Sequence, residues 1–164
     1  MRRTALHLLG PTAVGKTSFA LEQMLQLAEQ LGFDGVDLIS ADSRHVYTEL
    51  HTLTGADIPE PDSLDERVHL HGIDVITPEE TWSLGRFVRL VHDVSTRSWQ
   101  ADRLPVVIGG TRLYQEHAYN AEPGMLVPPN AAVRSRADGM ELGALQQWAR
   151  ELYAERVEGM NRSD

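Results

Sequence analysis

Apolar and polar positions along the chain divide it into segments of two alternating kinds. Short, continuously apolar runs at 5–9, 36–40 and 104–108 predict buried β-strands, because strands covered on both faces carry few polar positions. Between them, apolar residues recur at helical spacing over 16–31 and 83–100. Ser83 is a suitable N-cap for the second helix, and Gly32 a suitable stop for the first. Alternation of this kind predicts an α/β fold with a mainly parallel sheet flanked by helices.

The remaining segments carry weaker patterns. Residues 69–75 predict a short strand and 113–121 a helix, whereas 52–67 are rich in Pro, Asp and Glu and predict a surface loop. After Pro123 the composition changes, with two short stretches of helical character. We therefore expect a core domain at 1–121 and a short, reduced helical insertion at 122–164.

Composition narrows the function classes. The chain has 164 residues, no cysteine and a formal net charge of −9, which argues mildly against nucleic-acid binding. The absence of cysteine excludes disulfides and thiolate metal sites. No apolar run approaches the roughly 20 residues that span a membrane. A cytoplasmic location and, as a separate prediction, a monomer are expected. Lys16 is the only lysine among the 15 basic residues, which marks a site that needs a compact ammonium.

The strongest motif follows the first predicted strand. Residues 10–17 read GPTAVGKT and satisfy G-x-x-x-x-G-K-[ST], with a strand before and a helix after. In such a loop the glycines let backbone N–H groups point at phosphate oxygens, and the helix N-terminus favours negative charge. Lys16 would reach the outer phosphate, and the Thr17 hydroxyl would help to hold Mg²⁺. The residues assigned to diphosphate binding are Gly10, Thr12, Ala13, Val14, Gly15, Lys16 and Thr17.

A phosphate loop does not identify what the phosphates are attached to. An NTPase usually adds an apolar strand ending in Asp, but 106–110 ends in glycines. The strand at 36–40 leads to Asp42, which suits a metal-side carboxylate, an acid–base group or the cap of a turn. His69 and His71 stand two apart and, without a third ligand nearby in the sequence, are interpreted as structural or surface residues.

Five stretches in order resemble the tRNA dimethylallyltransferase (isopentenyl-diphosphate:tRNA transferase) family. They are GPTAVGKT at 10–17, DLISADSRHVY at 37–47, IDVITP at 73–78, GGTRLY at 109–114 and MNRSD at 160–164. The resemblance is best over 4–120. It implies a P-loop NTPase-like fold and a loop that binds dimethylallyl diphosphate. The expected reaction moves the five-carbon group to N6 of an adenine beside the tRNA anticodon, with Mg²⁺.

The resemblance also implies roles for single residues. Asp42 would orient the adenine amine and accept its proton, and Lys16 would stabilise the departing diphosphate. Thr111 matches the family threonine that lies close to the tRNA. Asp42, Lys16 and Thr111 together form the predicted catalytic set. The residues expected to contact tRNA are Asp42, Ser43, Arg44, His45, Thr111 and Arg134.

Three departures from the family pattern accompany the resemblance. His45 stands where the family usually has Gln, and Arg112 where it usually has Gly, so that Arg112 either blocks the channel or contacts a phosphate. Family members continue past Asp164 with an Arg-rich stretch, so we expect a C-terminally short member.

Three alternatives remain open. An adenylate isopentenyltransferase would use free AMP, ADP or ATP as acceptor, which suits the acidic charge. A small-molecule kinase would hold ATP in the loop but leaves GGTRLY unexplained. A truncated domain would bind prenyl diphosphate or nucleotide without turnover.

Overall fold

A computed structural model describes residues 3–50 and 64–157 of the chain. In chain order the elements of this part are β1 (Leu6–Leu9), α1 (Lys16–Gln30), β2 (Gly35–Ser40), β3 (Val68–His71), α2 (Leu84–Gln100), β4 (Arg103–Gly109), α3 (Arg112–His117), a 3₁₀ turn (Pro123–Leu126), α4 (Ala131–Asp138) and α5 (Leu142–Val157). Strands and helices alternate up to α3, as the hydrophobic pattern predicts.

The four strands form one sheet in the order β1-β4-β2-β3, and each neighbouring pair is parallel. This confirms the predicted α/β class. The two central strands β4 and β2 are buried along nearly their whole length because helices cover both faces. Their carboxyl ends therefore meet at one edge, where ligands bind in open α/β sheets.

Two apolar cores lie on opposite faces of the sheet. On one face α1 packs against residues of β2 and β4, and on the other face α2 packs against the alternate residues of the same strands. The buried members of the first core are Ala20, Met24, Ala28, Phe33, Val36, Leu38, Val68, Leu104, Val106 and Ile108. Those of the second are Ile39, Ala41, Phe87, Val88, Val91, Val94, Val107, Tyr114 and Ala118. α2 thus buries the stripe that its sequence spacing indicates. In α1 the buried residues are Ala20, Met24 and Ala28, whereas Phe19, which the spacing assigns to the inward stripe, is 49% exposed.

The predicted helix boundaries of α1 and α2 are confirmed by their caps. The Ser83 hydroxyl accepts a hydrogen bond from the backbone N–H of Arg86 at 3.2 Å, which satisfies one free N–H of the first turn. After α1, Gly32 has a φ of 81°, the left-handed conformation that glycine adopts without strain.

Two predicted elements are too long. The predicted strand at 69–75 starts at Val68 and ends at His71, because Gly72 has a φ of 76° and turns the chain out of the sheet. The predicted helix at 113–121 ends at His117. Most of the predicted loop at 52–67 lies outside the described residues, and its described part, 64–67, is without helix or strand.

The chain divides into two compact units, Met1–Val127 and Pro128–Asp164. In the second unit Asn130 caps α4 by accepting from the N–H groups of Ala132 and Val133. The Arg136 guanidinium lies 4.1 Å from the centre of the Trp148 ring, a cation–π contact that links α4 to α5. Among the described residues, no helix combines the length and apolar character needed to cross a membrane.

Candidate functional site

The phosphate loop connects the end of β1 to the start of α1. Within it Ala13 has a φ of 62° and Gly15 a φ of 82°, both in the left-handed region. Interrupting right-handed backbone with such residues turns successive N–H groups towards one side, which forms a concave anion-binding surface. Gly15 is also the N-cap residue of α1 and contributes no side-chain hydrogen bond. The free N–H groups of the first helical turn are therefore available to an anion.

The Lys16 side chain folds back over this loop. Its ammonium group donates to the Pro11 carbonyl oxygen at 2.5 Å, which places the positive charge above the concave face. Lys16 and Thr17 are half-buried in the first turn of α1. The first turn contains no acidic residue, so its positive charge is not neutralised within the helix.

The GG pair that ends β4 lies against the two neighbouring loops. A Cβ on Gly110 would sit 3.1 Å from the Gly10 carbonyl oxygen, and one on Gly109 would sit 2.6 Å from the Ala41 carbonyl oxygen. The backbone of Ala41 in turn donates to the Ile108 carbonyl at 2.7 Å. Glycines at 109 and 110 therefore allow the loops after β1, β4 and β2 to approach one another closely.

Gly109→Ala is expected to destabilise the fold by about 1–3 kcal/mol, because the added methyl group must displace backbone rather than a flexible side chain. Urea unfolding of the wild type and the variant measures the difference. Gly124→Ala is the matched control, since a Cβ there meets no atom within 4 Å. Equal stability losses in the two variants would contradict the close approach of Gly109 to Ala41.

The loop after β2 places Asp42 beside His45. The Asp42 carboxylate accepts from the Arg44 backbone N–H at 3.0 Å, the turn-capping contact foreseen for it. His45 Nε2 lies 3.8 Å from the second carboxylate oxygen, and Nδ1 of the same ring lies 3.2 Å from the Ser40 hydroxyl. The Asp42 side chain is 16% exposed. Its carboxylate is thus held by its own loop and still reaches solvent.

A cavity of about 400 Å³ joins the three loops. Its polar lining comes from the phosphate loop, from the loop after β2 and from the glycines after β4. These residues are Thr12, Ala13, Gly15, Lys16, Thr17, Ser18, Ser40, Asp42, Arg44, His45, Gly109 and Gly110. Lys16 and Asp42, which stand 26 positions apart in the sequence, line the same cavity.

Four further lining residues are apolar and are not among the predicted site residues. Leu38, Leu70, Ile73 and Ile108 all line the cavity, and they come from or follow β2, β3 and β4. The available signal was that strand-terminal apolar residues meet at the carboxyl edge of a parallel sheet. The cavity is therefore lined both by the cationic, N–H-rich phosphate loop and by these four aliphatic side chains, which form its aliphatic wall.

The other predicted site residues lie outside this lining, as far as the described residues show. In the phosphate loop these are Gly10 and Val14, and elsewhere Ser43, Thr111 and Arg134. Thr111 is half-buried and directly follows Gly110 as the N-cap residue of α3, one position from the cavity. Arg134 is exposed on α4, in the second compact unit.

Arg112 does not fill the cavity. Its guanidinium donates to Glu116 at 2.6 Å along α3, and the side chain is 85% exposed. Further along α3, burial raises the pKa of Tyr114, and the nearby Tyr47 and Asp42 act in the same direction. Tyr114 therefore stays protonated near Asp42. It is a polar residue that is not among the predicted site residues.

Sequence comparison gives the family. The IPP transferase family model matches residues 45–163. The tRNA dimethylallyltransferase 2 of Pelobacter propionicus is 35% identical over 151 residues, which cover 92% of this chain and 45% of the relative. The tRNA dimethylallyltransferase 1 of Geotalea uraniireducens is 33% identical over 156 residues, covering 95% and 46%. The chain thus spans less than half the length of these relatives.

Solved structures agree on the fold. The full-length tRNA isopentenylpyrophosphate transferase of Bacillus halodurans superposes with a TM-score of 0.60 at 24% identity, covering 99% of this chain and 52% of the other. The corresponding protein of Staphylococcus epidermidis gives a TM-score of 0.57 at 20% identity, with 98% and 51% covered. At these identities the likeness concerns the fold, and the P-loop-type sheet is common to all three.

Proposed function

Since this chain belongs to the IPP transferase family, we propose that it binds dimethylallyl diphosphate in the cavity and transfers the prenyl group to N6 of a tRNA adenine. The observation that carries the proposal is that one cavity is lined both by the phosphate loop and by aliphatic side chains. An isoprenoid diphosphate likewise has a charged part and an aliphatic part. A nucleoside triphosphate would leave the aliphatic wall facing a polar ribose.

The phosphate loop would hold the diphosphate. Its N–H groups and Lys16 supply a preorganised positive environment, and this matters most when the C–O bond breaks and the leaving group gains charge. Leu70 and Ile73, which line the cavity and are half-buried, would pack against the five-carbon chain and exclude water from the reacting carbon. This arrangement favours transfer to an amine over hydrolysis.

Asp42 would act on the acceptor. The adenine N6 attacks the first carbon of the prenyl group, so that a C–N bond forms while the C–O bond to diphosphate breaks. The amine must lose one proton, and the Asp42 carboxylate, which lines the cavity, is placed to accept it. His45 contacts the other Asp42 oxygen and would keep the carboxylate oriented.

Magnesium fits the residues present. The Thr17 hydroxyl and the Asp42 carboxylate line the same cavity as the phosphate loop, and hard oxygen donors are those that Mg²⁺ prefers. The Thr17 hydroxyl would hold the ion together with diphosphate oxygens. The ion would supply neutralising charge for the leaving group.

The tRNA would approach from the open side of the cavity. Arg44 is 58% exposed at its rim and would contact phosphate or base, together with Ser43 and His45. Thr111 stands next to the glycine pair and would border the acceptor base. Arg134 is proposed as an additional phosphate contact from α4.

Asp42→Asn is expected to lower the rate of prenyl transfer by about 10²–10⁴-fold, because the amide cannot accept the proton. Affinity for dimethylallyl diphosphate should change by less than about threefold, since Lys16 and the loop N–H groups remain. Radiolabelled dimethylallyl diphosphate with Mg²⁺ and unmodified tRNA measures the rate. Asp93→Asn, which changes a 70%-exposed carboxylate on α2, is the matched control.

The same assay separates the other possibilities. Label in AMP but not in tRNA would assign the small acceptor of the adenylate isopentenyltransferases. Label in neither, with dimethylallyl diphosphate still bound, would overturn transfer by this chain and leave a prenyl-diphosphate-binding domain. Equal rates for Asp42→Asn and wild type would remove Asp42 from the reaction.

A further inference from the structure

We propose that Asp37, His69 and His71 form a second site, which binds a divalent transition-metal ion of the zinc type. The site lies between β2 and β3, away from the phosphate loop. Each residue offers one ligand atom, and the three atoms all lie within 4.8 Å of one another. The proposal is independent of the prenyl-transfer reaction.

Strand register brings the three side chains together. Asp37 on β2 is paired with His69 on β3, and His71 follows two residues later. Because side chains alternate along a strand, all three project from the same face of the sheet. His71 Nε2 lies 2.8 Å and His69 Nδ1 3.2 Å from the same Asp37 oxygen, Oδ1. Both histidine nitrogens therefore face the same carboxylate oxygen.

The donor set suits zinc. Two imidazole nitrogens and one carboxylate oxygen are ligands of catalytic and exchangeable Zn²⁺ sites, which keep a fourth position for water. In a tetrahedral Zn²⁺ site, neighbouring ligand atoms stand roughly 3.4 Å apart. To reach that spacing from Asp37 Oδ1, His69 Nδ1 at 3.2 Å would move by about 0.2 Å and His71 Nε2 at 2.8 Å by about 0.6 Å. The two histidine nitrogens lie within 4.8 Å of each other, and both side chains are partly exposed and can rotate to adjust.

Arg103 fixes the carboxylate without occupying the ligand oxygen. Its Nε donates to Asp37 Oδ2 at 2.9 Å, and one of its terminal nitrogens donates to the carbonyl oxygens of Val36 and Arg67. Metal-bound carboxylates are commonly oriented in this way by an outer hydrogen bond. The guanidinium charge also opposes the ion, so we expect moderate affinity, about micromolar.

The site is open to solvent on one side. The Asp37 side chain is 6% exposed, whereas His69 is 52% and His71 27% exposed, so an ion can enter and keep a bound water. Leu70, which stands between the two histidines, points to the other face and lines the phosphate cavity. The metal site and the cavity thus lie on opposite faces of the same strands. A bound ion would cross-link β2 to β3.

Calorimetric titration of the metal-free protein with Zn²⁺, in excess Mg²⁺ to fill oxygen-donor sites, tests the proposal. We expect one ion per chain and a rise in Tm of about 3–5 °C at saturating Zn²⁺. Co²⁺ should give the visible absorption of a four- or five-coordinate ion with nitrogen ligands. His69→Ala and His71→Ala should each weaken Zn²⁺ binding by at least about tenfold.

His92→Ala is the matched control, because His92 is a 78%-exposed histidine on α2. Asp37→Asn is avoided, since it also breaks the pair with Arg103. The histidines are partly exposed, so their variants should keep the metal-free Tm within a few degrees. Absence of Zn²⁺ binding to the wild type, or equal affinity in the His71→Ala and His92→Ala variants, would overturn the proposal and leave both histidines as hydrogen-bond partners of Asp37.

Discussion

Lys16→Ala is expected to weaken binding of dimethylallyl diphosphate by about 100-fold and to lower kcat/KM for prenyl transfer by about 10³-fold. Lys16 is the only lysine of the chain, and its ammonium group crosses the phosphate loop to the Pro11 carbonyl. The ammonium group is placed to stabilise the negative charge that develops on the leaving diphosphate. The loss in kcat/KM should therefore exceed the loss in affinity by about tenfold, and this remainder should appear in kcat. Binding and initial-rate measurements separate the two contributions.

Lys16→Arg tests whether charge alone is sufficient. The planar guanidinium is larger and cannot take the position of the compact ammonium beside the Pro11 carbonyl, so we expect most of the activity to stay lost. Arg97→Ala removes an exposed cation whose Nε donates to the Asp93 carbonyl of its own helix, and it should leave binding and rate unchanged. Unaltered affinity in Lys16→Ala would mean that the loop at 10–17 does not hold the diphosphate.

The sequence predicts the local parts of this fold well. The strands at 36–40 and 104–108 are recognisable because both of their faces are buried, which gives continuous apolar runs. The helices at 16–31 and 83–100 are recognisable because each buries one stripe and carries a clear boundary residue. The predicted strand at 69–75 is too long. Ile73 and Val75 are apolar and β-branched and therefore favour a strand, but the chain turns out of the sheet at Gly72 before it reaches them.

The candidate site divides in the same way. The residues after each buried strand were found from the sequence, because a parallel sheet brings those loops to one edge. The aliphatic wall was not found from the sequence, because it depends on which strands are neighbours. No local pattern specifies the order β1-β4-β2-β3. The cluster around Asp37 was missed for the same reason. Asp37, the third candidate metal ligand, lies 32 positions before His69 in the sequence, and the register of β2 against β3 places it beside that histidine.

Arg103→Ala is expected to lower the free energy of unfolding by about 3–5 kcal/mol at pH 7, because it leaves the Asp37 carboxylate buried without its cation. The Asp37 residue is 4% exposed, and Arg103 also donates to two backbone carbonyls of neighbouring strands. Arg112→Ala is the matched control. It removes an arginine–carboxylate pair with Glu116 at the surface, whose loss should cost less than about 1 kcal/mol.

The pH dependence of stability distinguishes a lost ion pair from simple loss of packing. Burial alone raises the pKa of Asp37, but hydrogen bonds from His71, Arg103 and Ser98 outweigh it and hold the pKa well below its usual range. A carboxyl with a depressed folded-state pKa stabilises the fold above its unfolded value of about 3.9, and this stabilisation is lost as the pH falls below that value. Without Arg103 the burial effect should weigh more heavily, so the folded-state pKa of Asp37 rises. Urea unfolding should therefore show wild type and Arg103→Ala converging as the pH is lowered from 7 to below 4, with most of the wild-type loss below about pH 4. A stability difference that stays constant over this range would assign the loss to the packing of the Arg103 side chain and not to its charge.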